Sequence, residues 1–245
     1  MLLVHGILSS AAQWQPNLRA LSQVCQPVTV ELWGHGNSPA PDLAQAYEPQ
    51  SYVAQFEHIR NQLQAAQWYV CGYSLGAGLT TRYTLDHADK VIAHIFTNSA
   101  SGFAEADQIR RWQTEAPQLA SRIVEKGLSA IERIPVHPKY ARRLPDDVKR
   151  ALLADADRLA PQAVAQTLLT TNPQASVRER IVHNPRPALF CFGRHERKFQ
   201  LTRDWLVRQV PCLEEVQLNA GHGVNMEDVA GFNQAVTDFI ERHPL

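Results

Sequence analysis

The residues best suited to chemistry in this sequence surround a serine. Ser74 stands at the centre of Gly72-Tyr73-Ser74-Leu75-Gly76, which has the pattern G-x-S-x-G, with an apolar run before it and a helical stretch after it. A sharp strand-to-helix turn of this kind exposes the hydroxyl at a helix N-terminus, where developing negative charge is stabilised. Because a serine hydroxyl is a weak nucleophile at neutral pH, we expect an orienting acid and then a basic histidine further along the chain.

The histidine with the most suitable context is His222, which lies in Asn219-Ala220-Gly221-His222-Gly223 directly after an apolar run. A histidine between two glycines after a strand is expected on a loop at the carboxyl edge of the sheet, where ligands bind in open α/β sheets. Most of the other histidines fall in helical or polar stretches. The sequence therefore predicts His222 as the general base.

The acid is expected after the strand that precedes the histidine's strand. Glu196 is the only carboxylate in the segment 193–199 that follows this strand. A glutamate can orient an imidazole as an aspartate does, so Glu196 is the predicted acid. The alternative is that Glu196 is a surface residue paired with a neighbouring arginine and that Asp204 or Glu227 serves instead.

Two N–H donors are needed where a tetrahedral oxyanion would form. One is the backbone N–H of Leu75, the residue after the serine, and the other is that of Ile7 in the loop after the first strand. His5, two residues earlier, is predicted to be a structural hydrogen-bonding residue. The candidates to border the substrate are Tyr73, Trp14, Trp112 and Met226, although aromatic residues of the helical insertion could instead pack its helices together.

Short apolar runs alternate with amphipathic stretches along the chain, which predicts a mostly parallel sheet flanked by helices. The predicted strands are Leu2–Val4, Val28–Leu32, Trp68–Cys71, Val91–Thr97, Ala188–Phe192 and Val216–Leu218. The main predicted helices are Gln50–Gln64, Leu75–Asp86, Leu201–Gln209 and Asp228–Arg242.

The alternation stops between residues 102 and 184, where several helical pieces are separated by prolines and no strand is evident. We interpret this stretch as a helical lid inserted between two parts of the core, residues 1–101 and 185–245. Its 13 basic and 10 acidic residues give it a net charge of +3. That charge indicates either an anionic substrate under the lid or a solvated helical surface.

The composition excludes some classes of partner. The 245 residues contain 24 basic and 24 acidic side chains, a balance that argues against nucleic acid or an anionic membrane. No signal-peptide pattern precedes the first strand, so we expect a cytoplasmic protein, although a processed mature form would look the same. Met1 lies one residue before the first strand, so either the protein is minimal or its start codon has been set too late.

Taken in order, these motifs resemble those of the α/β-hydrolase family. The run His5-Gly6 is similar to its oxyanion-loop motif, and the segment 32–38 to its G-H-G-x-S segment. The G-x-S-x-G segment around Ser74, here called the elbow, is similar to its nucleophile motif. The run from Gly193 to Glu196 is similar to its acid motif, and Gly221-His222 is similar to its histidine motif. This sequence departs from the family's pattern in two ways. Glu196 stands in place of the usual aspartate, and the family's N-terminal strands are apparently absent.

Within the family, the elbow and the run Glu196-Arg197-Lys198-Phe199 resemble those of the menaquinone-pathway synthase that eliminates pyruvate from a succinylated cyclohexene carboxylate. This resemblance implies a triad that abstracts a proton, and arginines that hold a polyanionic substrate. One of those arginines follows the elbow, where this sequence has Ala77 and Gly78. Arg110, Arg111 and Arg178 in the insertion are the possible substitutes.

The leading hypothesis is a serine hydrolase that cleaves a small carboxylic ester, thioester or lactone and needs no metal or cofactor. The alternatives are a lyase, synthase or C–C hydrolase with the same triad, and a non-catalytic protein on this fold. Lid arginines facing Ser74 would favour the synthase chemistry. The sequence does not indicate the oligomeric state.

Overall fold

Six strands form one parallel sheet in the computed structural model, which describes residues 1–244. The strands are β1 (Leu2–Val4), β2 (Val28–Val30), β3 (Trp68–Gly72), β4 (Val91–Thr97), β5 (Ala188–Gly193) and β6 (Leu213–Leu218). They lie in the order β2-β1-β3-β4-β5-β6, and every neighbouring pair is parallel. All carboxyl ends therefore lie at one edge of the sheet, and the predicted α/β fold class is confirmed.

β3 and β5 are each one residue longer than predicted, and two other strands differ from the prediction by more than one residue. β2 ends at Val30 because the N–H of Leu32 donates to Nε2 of His5 instead of continuing the ladder. β6 begins at Leu213, three residues early, and includes two glutamates at the edge of the sheet. Glu214 pairs with Arg242 and Glu215 with Arg203, so charged side chains occupy a strand that an apolar pattern alone does not reveal.

Helices cover both faces of the sheet. Those joined directly to the strands are α1 (Gln15–Leu21), α2 (Pro49–Gln62), α3 (Leu75–Asp86), α10 (Gln200–Gln209), α11 (Val224–Glu227) and α12 (Val229–Arg242). Single 3₁₀ turns lie at Ala11–Trp14, Ala44–Tyr47, Ala88–Lys90, Pro138–Tyr140 and Arg197–Phe199. In α12, Phe232, Val236 and Phe239 are fully buried, as their helical spacing predicts.

The chain between β4 and β5 is helical, with no strand among its described residues. It contains α4 (Ala106–Lys126), α5 (Leu128–Ile131), α6 (Asp146–Ala156), α7 (Pro161–Gln166), α8 (Asn172–Gln174) and α9 (Arg178–Ile181). A π-helical turn, Thr167–Thr171, joins α7 to α8. These helices have an apolar cluster of their own, which includes Ile123, Ile131 and Val164. That this region acts as a lid stays a prediction.

Trp14 lies in the core of the main domain. Its side chain is fully buried, and its ring centroid lies 6.3 Å from that of Phe232 in α12. This packing ties the loop after β1 to the C-terminal helix. None of the helices in residues 1–244 is long and apolar enough to cross a bilayer.

Candidate active site

Ser74 occupies a sharp turn between β3 and α3. Its backbone has φ 54° and ψ −116°, a conformation that L-residues rarely adopt and that is typical of functional turns. A Cβ at Gly72 would overlap the side chain of Thr80, and one at Gly76 would overlap the carbonyl oxygens of Val4 and His5. The two glycines are therefore required because the turn packs directly against its own helix and against the end of β1.

The structure brings the three predicted catalytic side chains together. Oγ of Ser74 lies 2.9 Å from Nε2 of His222, and Nδ1 of His222 lies 2.6 Å from Oε1 of Glu196. With its Nδ1 proton donated to the carboxylate, the neutral imidazole presents an unprotonated Nε2 to the serine hydroxyl. This arrangement can remove the Ser74 proton and stabilise the imidazolium that results.

The carboxylate of Glu196 has a second partner that sequence analysis missed. Nδ2 of Asn98, the residue directly after β4, donates a hydrogen bond to Oε2 of Glu196. The preceding residue, Thr97, accepts the Ser74 N–H at 3.0 Å through its hydroxyl oxygen. The signal in the sequence is the polar run 97–99 at the carboxyl end of a buried strand, the edge where ligands bind.

The loop that carries His222 is held by a different carboxylate. Glu227 accepts the N–H of Gly221 at 2.6 Å and the N–H of Gly223 at 3.3 Å, on either side of the histidine. The imidazole also contacts two aromatic rings, those of Tyr73 and Phe199, at centroid distances of 5.2 and 5.9 Å. Glu227, which the sequence offered as an alternative to Glu196, therefore contacts the backbone of this loop. Glu196 is the carboxylate bound to the imidazole.

Two backbone N–H groups beside Ser74 have no acceptor within residues 1–244, namely those of Ile7 and Leu75. Both residues line the same cavity as Ser74. The next N–H along the loop, that of Leu8, donates to Nε2 of His35 at 3.2 Å, and Leu8 has φ 57°. This bond fixes the loop in a turn that leaves the Ile7 N–H free to bind an oxyanion.

Two buried histidines support that loop. His5 accepts the Leu32 N–H at 3.0 Å, and His35 accepts the Leu8 N–H, each through Nε2. Burial lowers the pKa of His5 to about 3 and that of His35 to about 4. Both rings are therefore neutral near pH 7, and His5 has the structural position that the sequence predicts.

A cavity of about 620 Å³ opens above Ser74. Tyr73, Trp112 and Met226 line it, and segment 134–144 supplies much of its apolar wall. That the three residues contact a substrate stays a prediction. Burial raises the pKa of the Tyr73 phenol well above its ordinary value, so this hydroxyl stays protonated. Trp14 differs from the prediction: it is absent from the cavity wall because its ring packs in the core.

The three candidate arginines of the helical insertion do not line the cavity beside Ser74. Arg178 pairs with Glu105 at 3.0 Å, and its guanidinium lies 3.9 Å from the ring centroid of Trp205. Arg110 pairs with Asp107 on the surface of α4, and Arg111 is exposed on the same helix. Among the described residues, Lys198 is the single lysine or arginine that lines the cavity.

A second cavity of about 530 Å³ lies at the opposite end of the sheet, near Met1 and Trp68. No histidine is among its described lining residues, so it lacks a base of the kind found beside Ser74.

Residues 1–244 contain no cluster of three or more histidine, cysteine, aspartate or glutamate side chains with the arrangement of a metal site.

The sheet, the elbow and the loops at its carboxyl edge define an α/β hydrolase, and the chain belongs to the Alpha/beta hydrolase family, whose profile matches residues 1–235. One relative in Bacillus subtilis (strain 168), provisionally named a 2-succinyl-6-hydroxy-2,4-cyclohexadiene-1-carboxylate synthase, is 24% identical over 97% of this chain and 88% of its own. A pimeloyl-[acyl-carrier protein] methyl ester esterase of Vibrio vulnificus (strain YJ016) is 30% identical over 79% of this chain and 74% of its own.

Among solved structures, MenH from S. aureus superimposes with a TM-score of 0.85, covering 99% of this chain and 94% of its own. Its sequence is 17% identical, so this likeness concerns the fold. The relatives thus include both an esterase and a synthase.

Proposed function

We propose that this protein is a serine hydrolase that cleaves a small carboxylic ester, thioester or lactone through an acyl-enzyme. The observation that carries the proposal is the chain of contacts from Ser74 through His222 to Glu196, with separations of 2.9 and 2.6 Å. The membership in a hydrolase family supports it.

In the first half of the reaction, Oγ of Ser74 attacks the carbonyl carbon while its proton moves to Nε2 of His222. The Ile7 and Leu75 N–H groups donate to the resulting oxyanion. Glu196 stabilises the imidazolium and remains ionised. When the tetrahedral intermediate collapses, the bond to the leaving group breaks, and the leaving group takes the proton from His222.

In the second half, water attacks the acyl-enzyme carbonyl and gives a proton to His222. Collapse of this intermediate breaks the bond to Oγ, and His222 returns the proton to Ser74. The carboxylic acid then leaves, and the site is ready for another substrate. Apart from the attacking water, each step uses only the side chains and N–H groups described above.

The cavity favours a neutral and largely apolar substrate. Its wall is mostly aliphatic or aromatic, with Trp112, Leu144 and Met226 among its members. Two carboxylates, those of Glu196 and Glu227, line it near His222. An acyl chain would be stabilised by burial of its methylene groups. A substrate that carries a carboxylate would be repelled by the two glutamates.

Turnover of p-nitrophenyl esters of increasing acyl length tests this proposal. We expect measurable kcat/KM values that rise with chain length until the cavity is filled, and loss of turnover in Ser74→Ala. Hydrolysis that persists in the variant, with a native circular dichroism spectrum, would assign the activity to another residue and contradict the proposal.

A synthase that eliminates pyruvate is the second candidate, because the relative provisionally named a 2-succinyl-6-hydroxy-2,4-cyclohexadiene-1-carboxylate synthase matches nearly the whole chain. Its triad would abstract a proton from the substrate instead of attacking a carbonyl. The positions of the lid arginines argue against it, since Arg110 and Arg178 are paired with acids and do not line the cavity.

Release of pyruvate from the succinylated cyclohexene carboxylate separates the two candidates. We expect the wild-type protein to release none above the background rate while it hydrolyses neutral esters. Ser74-dependent pyruvate release that is faster than ester hydrolysis would favour the synthase.

A further inference from the structure

Asn98 contacts Glu196 on the oxygen that His222 does not use. Nδ1 of His222 lies 2.6 Å from Oε1, and Nδ2 of Asn98 donates to Oε2, so each carboxylate oxygen receives one side-chain hydrogen bond. We infer that Asn98 is a positioning residue, which fixes the orientation of Glu196 and, through it, the imidazole of His222. This inference rests on the proposed function, because it assigns Asn98 a part in the same triad.

A glutamate needs this second contact more than an aspartate would. Its side chain has one more rotatable bond, and a single hydrogen bond leaves the carboxylate free to turn about its last torsion. The backbone around Glu196 is held in place, because the N–H groups of His195 and Glu196 donate to the carbonyl oxygens of Ala220 and Gly193, but no bond within the segment reaches the carboxylate. The contact to Asn98 therefore supplies a restraint that the loop itself lacks.

Asn98 is well placed to act as a fixed support. It is 1% exposed and directly follows β4 in the centre of the sheet. Its neighbour Thr97 accepts the Ser74 N–H, and Ser99 on its other side accepts the Gly102 N–H at 2.9 Å. One rigid strand end thus contacts both the nucleophile's turn and the acid.

The amide is the chemical group that this position requires. It donates to a carboxylate without adding a charge, whereas a flipped amide would place Oδ1 of Asn98 against an oxygen of Glu196. In the donating orientation, Oδ1 is buried and has no partner in residues 1–244. A buried oxygen without a partner reduces stability, so the contact to Glu196, and not the stability of the fold, accounts for an asparagine here.

The pH dependence of kcat/KM for a p-nitrophenyl ester tests this role in Asn98→Asp. While the introduced carboxyl is protonated, its O–H can donate to Glu196 as the amide does. Two carboxyls in hydrogen-bond contact lose their second proton only at a pH above the ordinary pKa of a carboxyl, and the two carboxylates then repel each other. We therefore expect the ratio of the Asn98→Asp to the wild-type kcat/KM to be near one at low pH and to fall as pH rises, giving an alkaline limb that the wild type lacks.

Asn98→Ala and Ser99→Ala complete the test. Asn98→Ala should lower kcat about 10-fold to 100-fold at all pH values with little change in KM, as expected for loss of one hydrogen bond to a charged group. Ser99→Ala, on the same strand end but without contact to Glu196, should keep wild-type kcat and pH profile. Wild-type profiles in both folded Asn98 variants would overturn the positioning role alone. Absence of Ser74-dependent hydrolysis in the wild type would instead overturn the proposed function, and this inference with it.

Discussion

Nε2 of His222 lies 2.9 Å from Oγ of Ser74, although 148 residues separate the two along the chain. The parallel sheet explains the contact: Ser74 follows β3, and His222 lies on the loop after β6. Both loops leave the carboxyl edge of the sheet, where the residues after β4 and β5 also converge. A helical insertion between those two strands supplies one wall of the cavity without separating the loops.

Replacement of Glu196 by glutamine should reduce kcat by about 10⁴-fold, because an amide can no longer hold the imidazole in the reactive tautomer. Steady-state kinetics with a neutral ester would measure the change. Asp204→Asn is the matched control, since this acid pairs with Arg203 on α10 and should change kcat by no more than about twofold. Equal losses in the two variants would contradict the assignment of Glu196.

Gly76→Ala should destabilise the protein by about 1–3 kcal/mol or more, because the added Cβ would overlap the backbone oxygens of Val4 and His5. Urea denaturation would give the difference in the free energy of unfolding. Gly231→Ala, whose Cβ would displace only the side chain of Asp228 that caps α12, should lower that free energy by about 1 kcal/mol, the typical cost of a lost cap. Equal stability of the two variants would show that the elbow does not pack this closely against β1.

Stability should fall as pH is lowered from 6.5 toward 4. Burial lowers the pKa of His94 to about 3, as it does for His5, and that of His35 to about 4, from an ordinary value of 6.5. In this range the unfolded chain binds protons that the folded protein does not, so each histidine reduces the free energy of unfolding by up to about 1.4 kcal/mol per pH unit.

Denaturation curves recorded at several pH values would measure this slope. His94→Gln removes one of the three titrating groups, so its slope should be smaller by about 1.4 kcal/mol per pH unit. A slope equal to that of the wild type would mean that His94 is not kept neutral by burial.

A neutral ester should be a better substrate than one of equal length that carries a carboxylate. Repulsion from Glu196 and Glu227 should lower kcat/KM for p-nitrophenyl hemisuccinate about tenfold relative to the butyrate. Added salt should reduce the difference if it is electrostatic. A preference for the hemisuccinate would indicate an anion-binding site near Lys198 and would revise the proposed substrate class.

The sequence predicted the parts of the site that depend on chain order. Ser74, Glu196 and His222 each follow a predicted strand, and parallel strands bring their carboxyl ends to one edge. Trp14 and Asn98 depend instead on side-chain packing between elements distant in sequence. A tryptophan near a motif has no pattern that distinguishes core from cavity. The polar run 97–99 marks the edge of the sheet but does not show that Asn98 is the residue that contacts Glu196.

The cavity wall was the least predictable part. Segment 134–144 has no strand or long helix and is placed by the packing of the helices around it. Its residues are close to Ser74 only in the folded protein. Spacing along the chain therefore located the reactive groups, whereas the substrate pocket required the structure.

Covalent labelling of Ser74 tests the central claim most directly. Incubation with a fluorophosphonate, followed by intact-mass and peptide mass spectrometry, should show one adduct per chain, on the peptide that contains Ser74. Ser101, which also lines the cavity but has no histidine contact, should remain unmodified. Loss of the adduct in Ser74→Ala is the result that the account predicts. An unlabelled wild-type protein with native structure, or an adduct that persists in the variant, would contradict it.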